Sequence, residues 1–275
     1  MKPIYKRRDE LVIVSILKNE GPYIREWIEF YRLQGIDHFY LFDNESDDDM
    51  KSILEEYQDV TLIPIPGKAQ IMAYNFALKA IKNYTKWIAF LDADEFLFPV
   101  RDETLKDILK EYEAYPGLGV NWVLYGPCGH EKKPKGLVMK SYTQTFKNRN
   151  HEMNCRIKSI VQPNKVLCIT HPHTPVYRNG QLAVNEKKEV ISGTAMYAPL
   201  GTACTMTNSI ERLRINHYWT KSLEELKEKC DKGRSDGSSS LLFETTLKRL
   251  EGEKMEDTAI LRFLPELKER LGARL

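Results

Sequence analysis

A doubly wound, mainly parallel α/β sheet is the fold class this sequence predicts, and three observations predict it. Short, β-branched apolar runs at residues 11–17, 38–42, 60–63 and 87–91 have the composition of strands buried on both faces. Between them lie segments whose apolar residues recur at helical spacing. Strands alternating with helices at these intervals pack as parallel neighbours joined by right-handed crossovers.

Taken in order, Leu-Val-Ile-Val-Ser-Ile-Leu at 11–17 is the first strand, and Lys18-Asn19-Glu20-Gly21-Pro22 ends it. Pro22 suits a first helical position, and Ile24, Trp27, Ile28 and Tyr31 repeat helically until Gly35 supplies a left-handed stop. Residues 38–42 form the second strand, Asp47 or Asp48 caps a short helix through Tyr57, and residues 60–63 form the third strand. Ile71, Tyr74, Leu78 and Ile81 mark a helix between Gln70 and Tyr84. The fourth strand, 87–91, runs straight into Asp92-Ala93-Asp94-Glu95. A helix over 104–115 opens on a Thr104 and Asp107 pair, and residues 120–125 read as a strand. From 126 to 212 the pattern is loop-rich, with short strand-like pieces such as 157–161. Order returns with a strand over 214–219, a capping box at Ser222-Leu223-Glu224-Glu225 and two more helical segments to Leu271. A Gly- and Ser-rich linker occupies 233–240. No internal repeat stands out.

Composition narrows the classes of function. Of 275 residues, 42% are hydrophobic, which excludes a disordered chain. Lys and Arg number 41 against 39 Asp and Glu, so no overall basic field draws in nucleic acid. The five cysteines are odd in number and form no C-x-x-C pair, which argues against a zinc or redox motif and fits a reducing cytoplasm. No apolar run approaches the roughly 20 residues of a membrane span, and no secretion signal is recognisable. Lys2, Lys6, Arg7 and Arg8 make the start basic. It reads as a solvated tail or as a peripheral contact with the inner face of an anionic membrane.

In open α/β sheets, ligands bind beyond the carboxyl ends of the strands. Here those ends carry Asn19 and Glu20, Asp43 and Asn44, and Asp92 and Asp94. Two carboxylates one residue apart point the same way in extended chain and can share a Mn²⁺ or Mg²⁺ ion, which in turn holds phosphate oxygens. A chance D-x-D in a loop is the bland alternative. Glu95 is either a further group of that site or the first residue of a helix. Asp43 is placed to accept hydrogen bonds from a base or a ribose, while Asp47, Asp48 and Asp49 read as cap and solvent-facing residues. Gln70 and Tyr74 share a helical face and, with Asn75, are placed to reach a nucleotide; packing explains Tyr74 equally well. For a base acting on an acceptor hydroxyl, His130, Glu131 and Glu152 are candidates by location alone. His171 and His173 imitate a metal pair but read as structural. Trp122 either stacks on a ring or fills the core.

Lys18-Asn19-Glu20, Phe42-Asp43-Asn44-Glu45-Ser46, Asp92-Ala93-Asp94-Glu95 and the run from Asn216 to Ser222 together resemble the glycosyltransferases of family 92 and their bacterial relatives, close to the family 2 group with the GT-A fold. The resemblance is strong over the first half and the short carboxyl-terminal motif, and weak between them. It implies a GT-A-like domain over 1–232, with a nucleotide-sugar-binding half at 11–100, an acceptor and catalytic half at 101–221, and a helical extension over 233–275. It further implies a Mn²⁺ or Mg²⁺ held at Asp92 and Asp94 with His217 completing the set, a UDP-linked sugar donor, and transfer to a glycan acceptor with inversion; beside Tyr218 and Trp219, His217 reads equally as a packed core residue. Lys221 is then either a charge on the diphosphate or a solvated lysine. Trp122, Gly126, Gly129 and His130 match the family pattern, whereas Pro127 and Cys128 depart from it. A silent carbohydrate-binding relative and a nucleotidyltransferase are the competing readings; the second lacks the expected Gly-rich basic loop.

Overall fold

The computed structural model describes residues 9–191, 204–205, 208–232 and 242–272. The basic start and the 233–240 linker lie outside the described residues. The chain opens with β1 (Asp9–Leu17), α1 (Gly21–Leu33), β2 (His38–Asp43), α2 (Met50–Leu54), β3 (Val60–Pro64), α3 (Gln70–Ile81) and β4 (Thr85–Phe90). Pro22 stands in the first turn of α1, and Gly35 just beyond its end takes φ 78°. The four strands pair in parallel in the order β3-β2-β1-β4.

The expected cap of the second helix is corrected. Asp49 holds the cap position of α2 and makes no side-chain cap bond. The Asp48 carboxylate accepts from Met50 N at 3.1 Å and, through its other oxygen, from Gly21 N at 2.7 Å. One side chain thereby serves the otherwise unpaired amides at the start of two helices.

Past β4 the chain reverses at once into β5 (Glu95–Pro99), so Glu95 opens a strand and not a helix. Next come α4 (Leu105–Lys110), β6 (Gly117–Leu124), α5 (Val138–Ser141), β7 (Gln144–Phe146), β8 (Ile157–Val161), β9 (Val166–Ile169), β10 (Pro175–Tyr177) and β11 (Leu213–His217). The Thr104 hydroxyl accepts from Asp107 N as expected, but α4 ends at Lys110, short of the Tyr115 that precedes Pro116 and is disfavoured in helix. The chain closes with α6 (Leu223–Lys232), α7 (Phe243–Arg249), β12 (Lys254–Glu256) and α8 (Leu264–Leu271).

Among the described residues, eight strands form one sheet in the order β3-β2-β1-β4-β8-β6-β11-β5. β8 enters antiparallel between β4 and β6, β11 runs parallel to β6, and β5 closes the edge antiparallel to β11. The region expected to be loop-rich thus supplies a central strand. Gly117 is required where β6 passes β10, because a Cβ there would sit 2.2 Å from the Tyr177 hydroxyl oxygen.

Strand alternation sends side chains to two faces. Leu11, Ile13 and Leu17 pack with Trp27, Tyr31, Phe39 and Trp87, while Val12, Val14 and Ile16 pack with Tyr74, Phe90 and Val161. Ile260, Leu267 and Leu271 join the first of these cores, so α8 rests on α1. No helix among the described residues is long and apolar enough to cross a membrane.

Candidate active site

The sheet fixes the 92–94 turn from behind. Glu95 N donates to Asp92 O at 3.1 Å, and Tyr218 N, just past β11, donates to Asp94 O at 2.8 Å. From α1, Trp27 Nε1 and the Tyr31 hydroxyl both donate to Glu95 O at 3.0 Å. Helical spacing of Trp27 and Tyr31 aims both donors at one carbonyl.

Because residues 93 and 94 form a turn and not extended chain, the two aspartates diverge. The Asp92 carboxylate accepts from Gln70 Nε2 at 3.2 Å and from the Tyr74 hydroxyl at 3.5 Å, and pairs with Lys158 Nζ at 2.8 Å. Asp94 meets His217 Nε2 at 3.2 Å through one oxygen and Lys229 Nζ at 2.7 Å through the other. Burial pushes the Asp94 carboxyl up, but Lys229 and His217 together hold it well below the usual range. Burial pulls His217 below the ordinary imidazole value, which favours the neutral ring. That ring lies 4.1 Å from the Trp122 ring, and its Nδ1 is buried without a partner.

Glu95 is fully buried; one carboxylate oxygen accepts from Asp92 N at 2.9 Å and lies 3.6 Å from Lys158 Nζ. Burial holds it well above the ordinary range despite Lys158.

The remaining expected residues divide. Glu20 is brought to Lys221, whose Nζ donates to it at 3.2 Å and sits 3.8 Å from the Tyr23 ring centre. Burial lowers the Lys221 ammonium, yet Glu20 and then Asp94 hold it above its ordinary value, so Lys221 feels the Asp94 charge. Asn19 ties loops together, accepting from Asp47 N at 3.0 Å while its own N donates to the Ser46 hydroxyl. Asp43 accepts from Ser46 N at 3.1 Å, and it also lines a cleft of about 420 Å³ with Lys51, Tyr57 and Pro64. Asn44 spends its amide hydrogens on Ile65 O and Gly67 O, and Asn75 clamps both backbone groups of Ile169 and of the preceding turn of α3 in part, donating to Ile71 O and Ile169 O and accepting from Ile169 N. Both asparagines work as clamps.

His130 contacts Ser141 O through Nε2 at 3.0 Å, and the backbone carbonyls of His130 and Glu131 receive the first amides of α6, from Leu223 and Glu224. This loop therefore lies beside the helix that carries Lys229. Glu152 sits in another loop, next to the His151 ring that stacks on Phe146. Among the described residues, no hydrogen bond or ion pair ties Glu131 or Glu152 to Asp92, Asp94 or His217. His173 is buried and contacts Ile157 O through Nδ1 at 2.7 Å, which suits a structural histidine.

Sequence reasoning missed Lys158 and Lys229. A signal existed for the first: in Ile-Lys-Ser-Ile-Val, Lys158 shares a strand face with Ile160, so a core-facing Ile160 carries Lys158 inward.

The family model for glycosyltransferase family 92 matches residues 14–238. A glycosyltransferase family 92 protein of Oryza sativa subsp. japonica is 28% identical over 173 residues, 58% of this chain and 28% of the relative. One from Ricinus communis is 26% identical over 231 residues, 80% of this chain and 37% of the relative. The chain thus spans about a third of the length of the curated relatives it matches. Among solved structures, HddC from Yersinia pseudotuberculosis aligns over 80% of this chain and 98% of its own, with 10% identity and a TM-score of 0.40.

Proposed function

The chain belongs to glycosyltransferase family 92, and from that premise we propose that it moves a sugar from a nucleotide diphosphate donor, UDP-linked, to a glycan acceptor with inversion, the reacting end lying at Asp92, Asp94 and His217. One observation carries the reading: a carboxylate and an imidazole, 3.2 Å apart, meet where the 92–94 turn enters β5 beside the end of β11. Lys229 pairs with Asp94 and Lys221 feels its charge, two cations of the kind an anionic diphosphate would require.

The donor set suits a divalent cation. No group of three His, Cys, Asp or Glu residues fit for a metal occurs among the described residues, but Mg²⁺ and similar ions bind through one or two carboxylates and complete their shell with water and substrate phosphate. Asp94 and His217 would hold Mn²⁺ or Mg²⁺, which when bound offsets the charge growing on the departing diphosphate. Asp92, with Gln70 and Tyr74 on one oxygen and Lys158 on the other, is then the hydrogen-bonding group for the donor's ribose. His130, Glu131 and Glu152 are the candidates for taking the acceptor's proton, and the first two lie in the loop that packs on the start of α6.

Thermal melting tests the reading. UDP should raise Tm in Mn²⁺ or Mg²⁺ and leave it unchanged in EDTA, because a ligand that binds only the folded state stabilises it. Equal stabilisation in EDTA would overturn the cation's part in donor binding.

A further inference from the structure

Two lysines neutralise the two aspartates of the 92–94 turn, and they are held very differently. Lys158 projects from β8 with its side chain only 1% exposed, between Asp92 and Glu95. It is walled in by the sheet and its packing. Lys229 projects from α6, on the surface, with its side chain 36% exposed. Its ammonium donates to Asp94 Oδ2 at 2.7 Å and to Trp219 O at 2.8 Å. A long stem of this kind can swing its charged end into water without disturbing the core.

We propose that Lys229 is the resident counter-ion of Asp94, standing in the path of the divalent cation, and that the cation binds only when Lys229 leaves the carboxylate. The inference rests on the cation site proposed above. A buried carboxylate with no partner is strongly disfavoured, so something must match Asp94 when no metal is bound. His217 faces the other oxygen, Oδ1, and Lys229 holds Oδ2. With Oδ1 facing His217 and Oδ2 only 2.7 Å from the Lys229 ammonium, a cation on this carboxylate would share it with Lys229, and like charges on one partly buried carboxylate repel. The two cations are therefore alternatives. Apparent metal affinity then falls by the fraction of molecules in which Lys229 has vacated Asp94.

Electron paramagnetic resonance of free Mn²⁺, titrated into the full chain without nucleotide, reads this competition directly. Lys229→Met and Lys229→Gln should each bind Mn²⁺ roughly 5- to 10-fold more tightly than wild type, and Lys229→Arg should not. The glutamine variant keeps a donor for Trp219 O, so it decides the matter if the methionine variant folds poorly. If wild type binds Mn²⁺ and both neutral variants bind it no more tightly, Lys229 only anchors α6 and the inference fails. If no form binds Mn²⁺, the cation site itself fails and the inference with it.

Discussion

His217 combines two demands that usually conflict. It is 3% exposed and packed against Trp122, as a core histidine would be, yet its Nε2 faces the Asp94 carboxylate. Burial keeps the ring neutral, which is the form that ligates a metal. His217→Ala should therefore show two separable effects. Loss of packing should cost about 1–3 kcal/mol in a urea melt without metal. Mn²⁺-dependent UDP binding should weaken roughly 10- to 100-fold and recover partly as Mn²⁺ is raised, since Asp94 still supplies the charge. An unchanged Mn²⁺ dependence would remove His217 from the site. The pairing of Asp94 with His217 was legible only through the family resemblance. Spacing alone says nothing of two residues 123 positions apart in sequence, and it led instead to the expectation that Asp92 and Asp94 point the same way, which the turn prevents.

At the scale of elements, the first four strands were legible because each is apolar on both faces and each intervening helix keeps its spacing. β5 was not, because its partner β11 lies more than a hundred residues on, and an acidic tripeptide hides its start. β8 was seen only as a strand-like piece, and its central place depends on pairing that local pattern does not carry. The carboxyl-terminal segment is joined to β11 by charge. Asp257, just past β12, accepts from both terminal nitrogens of Arg214 at 3.0 and 2.8 Å and from Arg149 at 2.8 Å. Burial raises its carboxyl, but Arg214 and Arg149 outweigh burial and bring it from the ordinary 3.8 down to about 2. A carboxylate lowered on folding stabilises fully above its unfolded value and loses that contribution as pH falls through its folded value. Stability should therefore drop by about 2 kcal/mol between pH 4 and 2 on this account alone. Asp257→Asn should remove that slope in acid urea melts and lower stability at pH 7. An unchanged slope would show that the clamp contributes nothing.

At the scale of the molecule, the site draws on nearly the whole described chain: β4 and its turn give Asp92 and Asp94, β8 gives Lys158, β11 gives His217 and α6 gives Lys229. The two halves distinguished in the sequence share one sheet, and their junction is where the aspartates emerge. Parallel strands on one side bring the expected donor-side residues Gln70 and Tyr74 to Asp92; the mixed strands on the other bring His217 to Asp94. The proposed sugar transfer depends on this junction more than on any one loop. Asp94→Asn keeps the side chain's shape and removes its charge, so it isolates the chemistry from the fold. The most direct test is release of nucleoside diphosphate from a panel of nucleotide sugars, with glycan acceptors and Mn²⁺, by wild type and Asp94→Asn side by side. The account predicts release by wild type from at least one donor and a loss of about 100-fold or more in the variant, the scale expected when a group that stabilises transition-state charge is removed; a variant as active as wild type, or no release by wild type from any donor, would contradict it.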